Sequence, residues 1–231
     1  CTSSYCSWYA SYFFKKTFLP VTVKIFAKII VFICGVKVNV KKEKKIDNSV
    51  VYVSNHISWL DIFVIQSQIP VFFVAKSEIK EWPIIGWLVE KSGNIFISRK
   101  KKHSIKNVIA TIKKKLDYGE SVVFFPEGTT SVGDTVKPFY SSLFSVFFER
   151  RYTSLCPIII NYKKKQSKTH TPAYIDNISL IESVYNILTT NGLEVDLTFL
   201  TVKKSQNPKN GFFKSRQELA NHIRSEMLSY F

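Results

Sequence analysis

From residue 36 onward, short apolar runs rich in β-branched and aromatic residues alternate with longer stretches of helical period. The runs are VKVNV at 36–40, VVYVS at 50–54, VFFVA at 71–75, NIFIS at 94–98, SVVFFP at 121–126, CPIIINY at 156–162 and EVDLTFL at 194–200. Continuous apolar runs of this length predict strands buried on both faces. Between them Ile105, Val108, Ile109, Ile112 and Leu116 recur at helical spacing, with Gly119 placed to end the helix. Ser215 with Glu218 is a capping-box signature ahead of Leu219, Ala220, Ile223, Met227 and Leu228. The alternation predicts an α/β layered domain with a mostly parallel or mixed central sheet flanked by helices. The chain has no internal repeat and no linker long enough to divide it, and the polar stretch from Lys163 to Thr171 reads as a surface loop.

Residues 5–36 follow a different pattern. Trp8, Tyr9, Tyr12, Phe13 and Phe14 precede Pro20, and a second apolar stretch follows it, so Pro20 splits two helices. Lys15, Lys16, Lys24 and Lys28 deny either half the ~18–20 uninterrupted apolar residues of a spanning helix. Lys24 and Lys28 share a helix face opposite Phe26, Ile30 and Ile33. That pattern predicts a helix in the headgroup layer, cations toward anionic lipid, with a hairpin packed on the domain's own core as the alternative. The organisation expected is therefore a membrane-associated helical segment over 1–35 and a catalytic domain over 36–231. The apolar stretch lies too far in for a secretory signal and no small-residue cleavage site follows it. The chain begins with Cys1 rather than Met, so a further piece ahead of it is an expectation.

Composition narrows the function. The 231 residues are 15% aromatic, which excludes disorder, and eight Gly and eight Pro without runs exclude collagen-like and proline-rich classes. Thirty-three basic against seventeen acidic residues give a formal charge of +16, which suits an anionic partner: nucleic acid, a phosphorylated metabolite or acidic lipid. A bias toward Lys would also raise the charge with no binding purpose. Cys1, Cys6, Cys34 and Cys156 have no metal or redox spacing and read as free thiols in a reducing compartment.

Ligands of such sheets lie outside the carboxyl ends of the strands, so the turns leaving strands are where chemistry is sought. The turn after VVYVS reads Asn55, His56, Ile57, Ser58, Trp59, Leu60, Asp61. A carboxylate five residues beyond a His, at the start of a helix, can hold one ring nitrogen while the other faces the site. The turn after SVVFF reads Pro126, Glu127, Gly128, Thr129, Thr130, Ser131. Pro126 ends strand pairing, Gly128 allows close backbone approach, and Glu127 puts a carboxylate where solvation gives no reason for one. No GxSxG, GxxxxGK[ST] or GxGxxG occurs, which removes the common serine-hydrolase, P-loop and dinucleotide readings. What remains for an activated His is deprotonation of a substrate hydroxyl that then attacks a carbonyl directly. Two rivals stay open: a basic module binding membrane or nucleic acid without catalysis, for which Phe72, Phe73, Phe124 and Phe125 would be stacking platforms although their place in apolar runs reads as core, and a metal-dependent hydrolase ligated by His56 and Asp61. The second lacks a third ligand at sensible spacing, because His103, His170 and His222 stand in polar or helical contexts.

NHISWLD at 55–61 and FPEGTTS at 125–131 resemble the first and third motifs of the glycerolipid acyltransferases, the group that includes the 1-acyl-glycerol-3-phosphate acyltransferases. GNIFISR at 93–99 resembles the second motif and LCPIIINY at 155–162 the fourth, in the family's order. The resemblance implies transfer of a fatty acyl group from acyl-CoA or acyl carrier protein to the free hydroxyl of a lysophospholipid. By that resemblance His56 is the general base and Asp61 holds it. Arg99, Glu127 and Gly128, with Asn55, Ser58, Thr129 and Pro157, bind substrate. No metal and no cofactor are implied beyond the acyl thioester as co-substrate, and the partners are an anionic membrane surface, the lysophospholipid and the thioester, with no nucleic acid. The place implied is a membrane, with the site on its cytoplasmic side, the inner membrane if the chain is bacterial. Many members carry Arg where this chain has Thr130, and Lys and Gly where it has Tyr140 and Ser142. That puts the acceptor headgroup in question: lysophosphatidate is expected first, with lyso-ornithine lipid or another lyso-lipid as competitors.

Overall fold

The computed structural model describes residues 21–42, 49–81, 86, 89–90, 92–97, 102–175, 178–205 and 213–231. The expectations that fall on residues 1–20, the Pro20 break among them, and on Arg99 with its neighbours Lys100 and Lys101, lie outside the described residues.

A helix over 21–33, α1, leads into a sheet built from β1 (Lys37–Lys42), β2 (Val50–Ser54), β3 (Val71–Lys76), β4 (Ile95–Ile97), β5 (Ser121–Phe124), β6 (Ser154–Lys164), β7 (Ser167–Lys168), β8 (Leu193–Phe199) and β9 (Lys203–Lys204). Helices α2 (Asp61–Gln68), α3 (Lys102–Asp117), α4 (Leu180–Leu188) and α5 (Arg216–Leu228) cover its faces. The strand order is β1-β8-β6-β2-β5-β3-β4, with β7 and β9 also pairing β6. From β6 to β4 every neighbour is parallel, whereas β8 runs antiparallel to β6 and parallel to β1. The sheet is mixed with a parallel centre, as the alternating pattern predicts, and all seven expected strands are present.

Alternate side chains of the parallel block feed two cores. Tyr52, Val123, Ile158, Ile160 and Tyr162 meet α1, α2 and α4 through Val31, Val64, Ile65 and Ile187. Val51, Val53, Val122, Phe124, Leu155 and Ile159 meet α3 and α5 through Val108, Ile112, Leu116, Leu219, Ile223 and Met227. Burial of both faces holds for β2, all five of whose residues are buried. It fails for β1 and β8. β1 is an edge strand carrying exposed Lys37, Lys41 and Lys42, and β8 alternates, placing Glu194 and Asp196 where Asn39 and Lys163 can reach them. Cys34 and Cys156 are buried thiols; Cys1 and Cys6 lie outside the described residues.

The helix ends follow local chemistry. Gly119 has φ +77, and the bonds Gly119 N–H to Leu116 O and Glu120 N–H to Lys115 O close α3 as a Schellman motif. Gly35, φ +64, closes α1 in the same way. Ser215 Oγ accepts from Glu218 N–H, but the Glu218 carboxylate reaches back to the amide of Lys214, one residue earlier than the usual box. The 163–171 stretch is not a loop throughout. β6 runs on to Lys164 and returns as β7 across Lys165 and Gln166, both at positive φ, the geometry of a tight primed hairpin turn without its usual Asn-Gly.

Helix α1 also corrects the expected facing of Lys24, while Lys28 is exposed. Lys24 Nζ donates to Gln68 O at 3.0 Å, at the carbonyl end of α2, and Ile30 packs on the core. The outward residues are Val21, Ile25, Ile29, Phe32 and Ile33, while Ala27, Val31 and Cys34 are buried. No helix among the described residues is long and apolar enough to cross a membrane.

Candidate active site

Parallel neighbours β2 and β5 end at the same edge of the sheet, so the His turn and the Glu turn emerge side by side. β6, parallel to β2 on its other flank, pairs Ile158 with Ser54 and runs on beyond it. Its extra residues line the His turn. Asn55, fully buried, uses that overhang: its Nδ2 donates to Ile160 O at 2.9 Å and its Oδ1 accepts from Ile160 N–H at 2.8 Å. The side chain replaces a strand residue and locks the start of the turn to β6. Pro157 lies in the same strand, where β6 changes partner from β9, which pairs Ser154 and Leu155, to β8, which begins at Ile158. The ladder needs no donor at that step, so the missing N–H costs nothing there.

The turn then folds onto a carboxylate. Asp61 has no exposed surface. Its Oδ2 accepts from Ile57 N–H at 2.7 Å, from Ser58 N–H at 2.9 Å and from His56 Nδ1 at 2.9 Å; its Oδ1 accepts from Tyr162 O–H at 2.8 Å. Ser58 Oγ in turn accepts from Leu60 N–H, so Ser58 and Asp61 together close the turn that leads into α2. Burial together with the Asp61 charge holds the Tyr162 phenol protonated far beyond its ordinary range, which keeps it a donor. A carboxylate accepts, so the bond fixes the ring proton on Nδ1 and leaves Nε2 as the nitrogen for proton transfer. The ring is 18% exposed and stacks on Phe125 at 3.9 Å between centroids and 11° between planes, with Phe73 behind at 5.7 Å. Phe73 and Phe124 are buried and Phe72 lies under Lys115, so none of the four aromatics offered as stacking platforms forms an open face.

Glu127, 3% exposed, is held by two amides: Oε1 takes His56 N–H at 2.8 Å and Oε2 takes Lys137 N–H at 2.9 Å. Burial pushes its carboxyl above the usual glutamate value, against the pull of those amides. Gly128, at φ +66, donates its N–H to Phe125 O and closes the turn. Thr129 beyond it is exposed. Ser131 N–H donates to His56 O at 2.8 Å. The Thr130 hydroxyl donates to Tyr174 O, whose own N–H donates to Ile57 O, and Lys137 Nζ donates to Thr130 O at 2.8 Å.

The structure thus brings Asn55, His56, Ser58, Asp61, Glu127, Gly128, Thr129 and Pro157 to one sheet edge, and it gives Asn55, Ser58 and Glu127 backbone partners. Arg99 lies outside the described residues. The roles of Tyr162 and Lys137 carry no signal in the sequence, the first because it lies inside an apolar run and the second because it acts through its amide; Phe125, offered as a stacking platform, stacks on the His56 ring instead. His170 pairs with Asp134, and His222 packs on Phe213. Among the described residues no three His, Cys, Asp or Glu side chains gather as a metal site would need.

The acyltransferase family model matches residues 37–161. A 1-acyl-sn-glycerol-3-phosphate acyltransferase of Neisseria gonorrhoeae is 32% identical over 155 residues, 67% of this chain and 60% of that protein. A lyso-ornithine lipid O-acyltransferase of Rhizobium meliloti is 33% identical over 177 residues, 71% of this chain and 61% of the relative. The chain spans about 60% of the length of these two relatives. The crystal structure of the 1-acyl-sn-glycerophosphate acyltransferase PlsC from Thermotoga maritima matches the fold with a TM-score of 0.67 at 20% identity, over 94% of this chain and 78% of that one.

Glu127 makes stability depend on pH with a definite sign. Its folded-state value is raised, so its contribution is fully favourable below the ordinary 4.5 and is lost as pH rises through the folded value. Urea unfolding of the wild type and Glu127→Gln across that range is expected to give a stability difference, wild type minus variant, that declines toward neutral pH; a difference that grows with pH would contradict the assignment.

Proposed function

This chain belongs to the acyltransferase family, and we propose that it moves a fatty acyl group from acyl-CoA or acyl carrier protein to the free hydroxyl of a lysophospholipid, 1-acyl-glycerol-3-phosphate first, giving phosphatidate. The observation that carries the reading is the His56–Asp61 pair, with Nδ1 spent on a buried carboxylate, Nε2 left for proton transfer and the His56 backbone amide tied to Glu127. In this mechanism Nε2 takes the acceptor's hydroxyl proton as the oxygen attacks the thioester carbonyl carbon. The tetrahedral adduct collapses with cleavage of the C–S bond, and the departing thiolate recovers the proton, so alcohol and thioester become ester and thiol. A base positioned in this way contributes on the order of 10²–10⁴-fold. Glu127, Gly128 and Thr129 form the turn against which the acceptor's glycerol phosphate lies, and Arg99 is the cation for that phosphate.

A lyso-ornithine lipid acceptor is the second reading. It is favoured by the relative of that activity and by Thr130, whose hydroxyl is turned onto Tyr174 O so that this position brings no cation to the turn. The enzyme works on the cytoplasmic side of a membrane, with α1 laid on the bilayer. The outward Val21, Ile25, Ile29, Phe32 and Ile33 support that placement, Phe32 being 84% exposed.

His56→Ala is expected to abolish acyl transfer to a panel of lyso-lipids with labelled acyl-CoA while leaving the chain folded at a lowered unfolding midpoint, since Asp61 loses one of its four donors; an unchanged turnover number would falsify the assignment. The Ile25→Asp/Phe32→Asp double variant is expected to lose about tenfold or more in affinity for anionic vesicles, since burial of each side chain contributes roughly 1.5–3 kcal/mol, and to keep its turnover on detergent-dispersed acceptor. Equal vesicle affinity would count against α1 as the membrane face.

A further inference from the structure

The loop over 131–137, which follows the Glu turn, grips the His turn at three points. Ser131 N–H donates to His56 O at 2.8 Å. Gly133, at φ +86, lies so close over Ile57 that an added Cβ would stand 2.6 Å from Ile57 Cδ1. Lys137 N–H fixes the Glu127 carboxylate, which takes His56 N–H. Both backbone polar groups of His56 therefore depend on this one loop, the carbonyl directly and the amide through Glu127.

The loop's outer end is anchored from far along the chain. Arg224, on α5, donates from Nε to Val136 O and Lys137 O, each at 3.0 Å, and from Nη2 to Val136 O at 2.8 Å. Val136 itself is fully buried beside Leu219, Ala220 and Ile223 of the same helix. The fork thus spends its donors on two successive carbonyls next to the amide that orients Glu127, in a half-buried setting where such charge-assisted bonds are strongest. The loop's remaining ion pairs, Asp134 with His170 and Lys168, are solvent-exposed and contribute little.

We propose that Arg224 is a positioning residue for the reaction: by clamping the carbonyls of Val136 and Lys137 it holds the 131–137 loop, and through it Glu127 and the backbone of His56, in register for acyl transfer. The proposal rests on the acyl-transfer reading and extends it to a helix outside the matched family region, which ends at residue 161. Displacements of about 1 Å at a reacting group cost on the order of 100-fold, so a loosened loop is expected to act on turnover.

The test compares Arg224→Ala, Arg224→Lys and Lys203→Ala in the whole chain. Lys203→Ala removes the Lys203–Glu226 ion pair of the same helix without touching the loop, and so reads out loosening of α5 alone. Arg224→Ala is expected to lower kcat, per folded molecule, by about tenfold or more. Arg224→Lys should recover part of it, because an ammonium reaches one carbonyl where the fork reaches two. Lys203→Ala should keep the wild-type kcat at a comparable unfolding midpoint. If Arg224→Ala does not fold, the kcat of Arg224→Lys decides, a value below wild type supporting the clamp and a wild-type value overturning it. An Arg224→Ala kcat equal to that of Lys203→Ala overturns the proposal while leaving the site reading intact. Retained activity in His56→Ala would instead sink the reading on which it rests.

Discussion

A carboxylate with no exposed surface, Asp61, takes four hydrogen bonds at the head of α2, and the candidate site is arranged around it. Burying such a charge costs several kcal/mol unless its oxygens are saturated. Here two backbone amides of the His turn, one imidazole nitrogen and one phenol do that. The arrangement that makes the burial tolerable also fixes the ring, because Ile57 and Ser58 can reach Oδ2 only when the chain folds back over the helix start. Stability and chemistry share the same bonds.

The second constraint comes from the sheet. Because β2 and β5 are parallel neighbours, the His and Glu turns leave at one edge, and the longer β6 stands beside them to supply Tyr162 and the backbone partners of Asn55. The two turns are then tied by main-chain contacts: Glu127 to His56 N–H and Ser131 to His56 O. A pair of motifs seventy residues apart in sequence thus forms one rigid unit, the kind of support that holds a general base within reach of its proton.

Much of this was legible in the sequence, for identifiable reasons. Strands β2, β5 and β6 are legible because strands covered on both faces leave continuous apolar runs, and Gly119 is legible because a left-handed helix terminus wants a residue without a Cβ. His56 and Asp61 are legible because two unusual turns follow buried strands and their motifs resemble those of a known family; the pair alone would read equally as a cap and a surface charge. Other features carried no signal. Tyr162 sits in an apolar strand and looks like core until its hydroxyl is placed. Lys24 looks like a headgroup cation until the end of α2 arrives beneath it. The β6–β7 hairpin lacks turn residues, since Lys165 and Gln166 adopt positive φ only because the strands on either side enforce it. Glu127 was noticed as an oddity, yet its amide partners are a matter of loop path rather than residue type.

The central claim is that Asp61 sets the proton and the orientation of the His56 ring. Asp61→Asn tests it most directly, since it keeps the shape and removes the charge: the amide oxygen takes the place of Oδ2, which the Ile57 and Ser58 amides require, and the amide nitrogen faces the Tyr162 hydroxyl oxygen. Measured per folded molecule, acyl transfer is expected to fall by roughly 10²–10⁴-fold, the scale of a positioned general base, because a neutral amide holds the ring without the carboxylate's charge. Turnover within a few-fold of the wild type would mean that the ring is held and protonated by something other than this carboxylate, and would contradict the account.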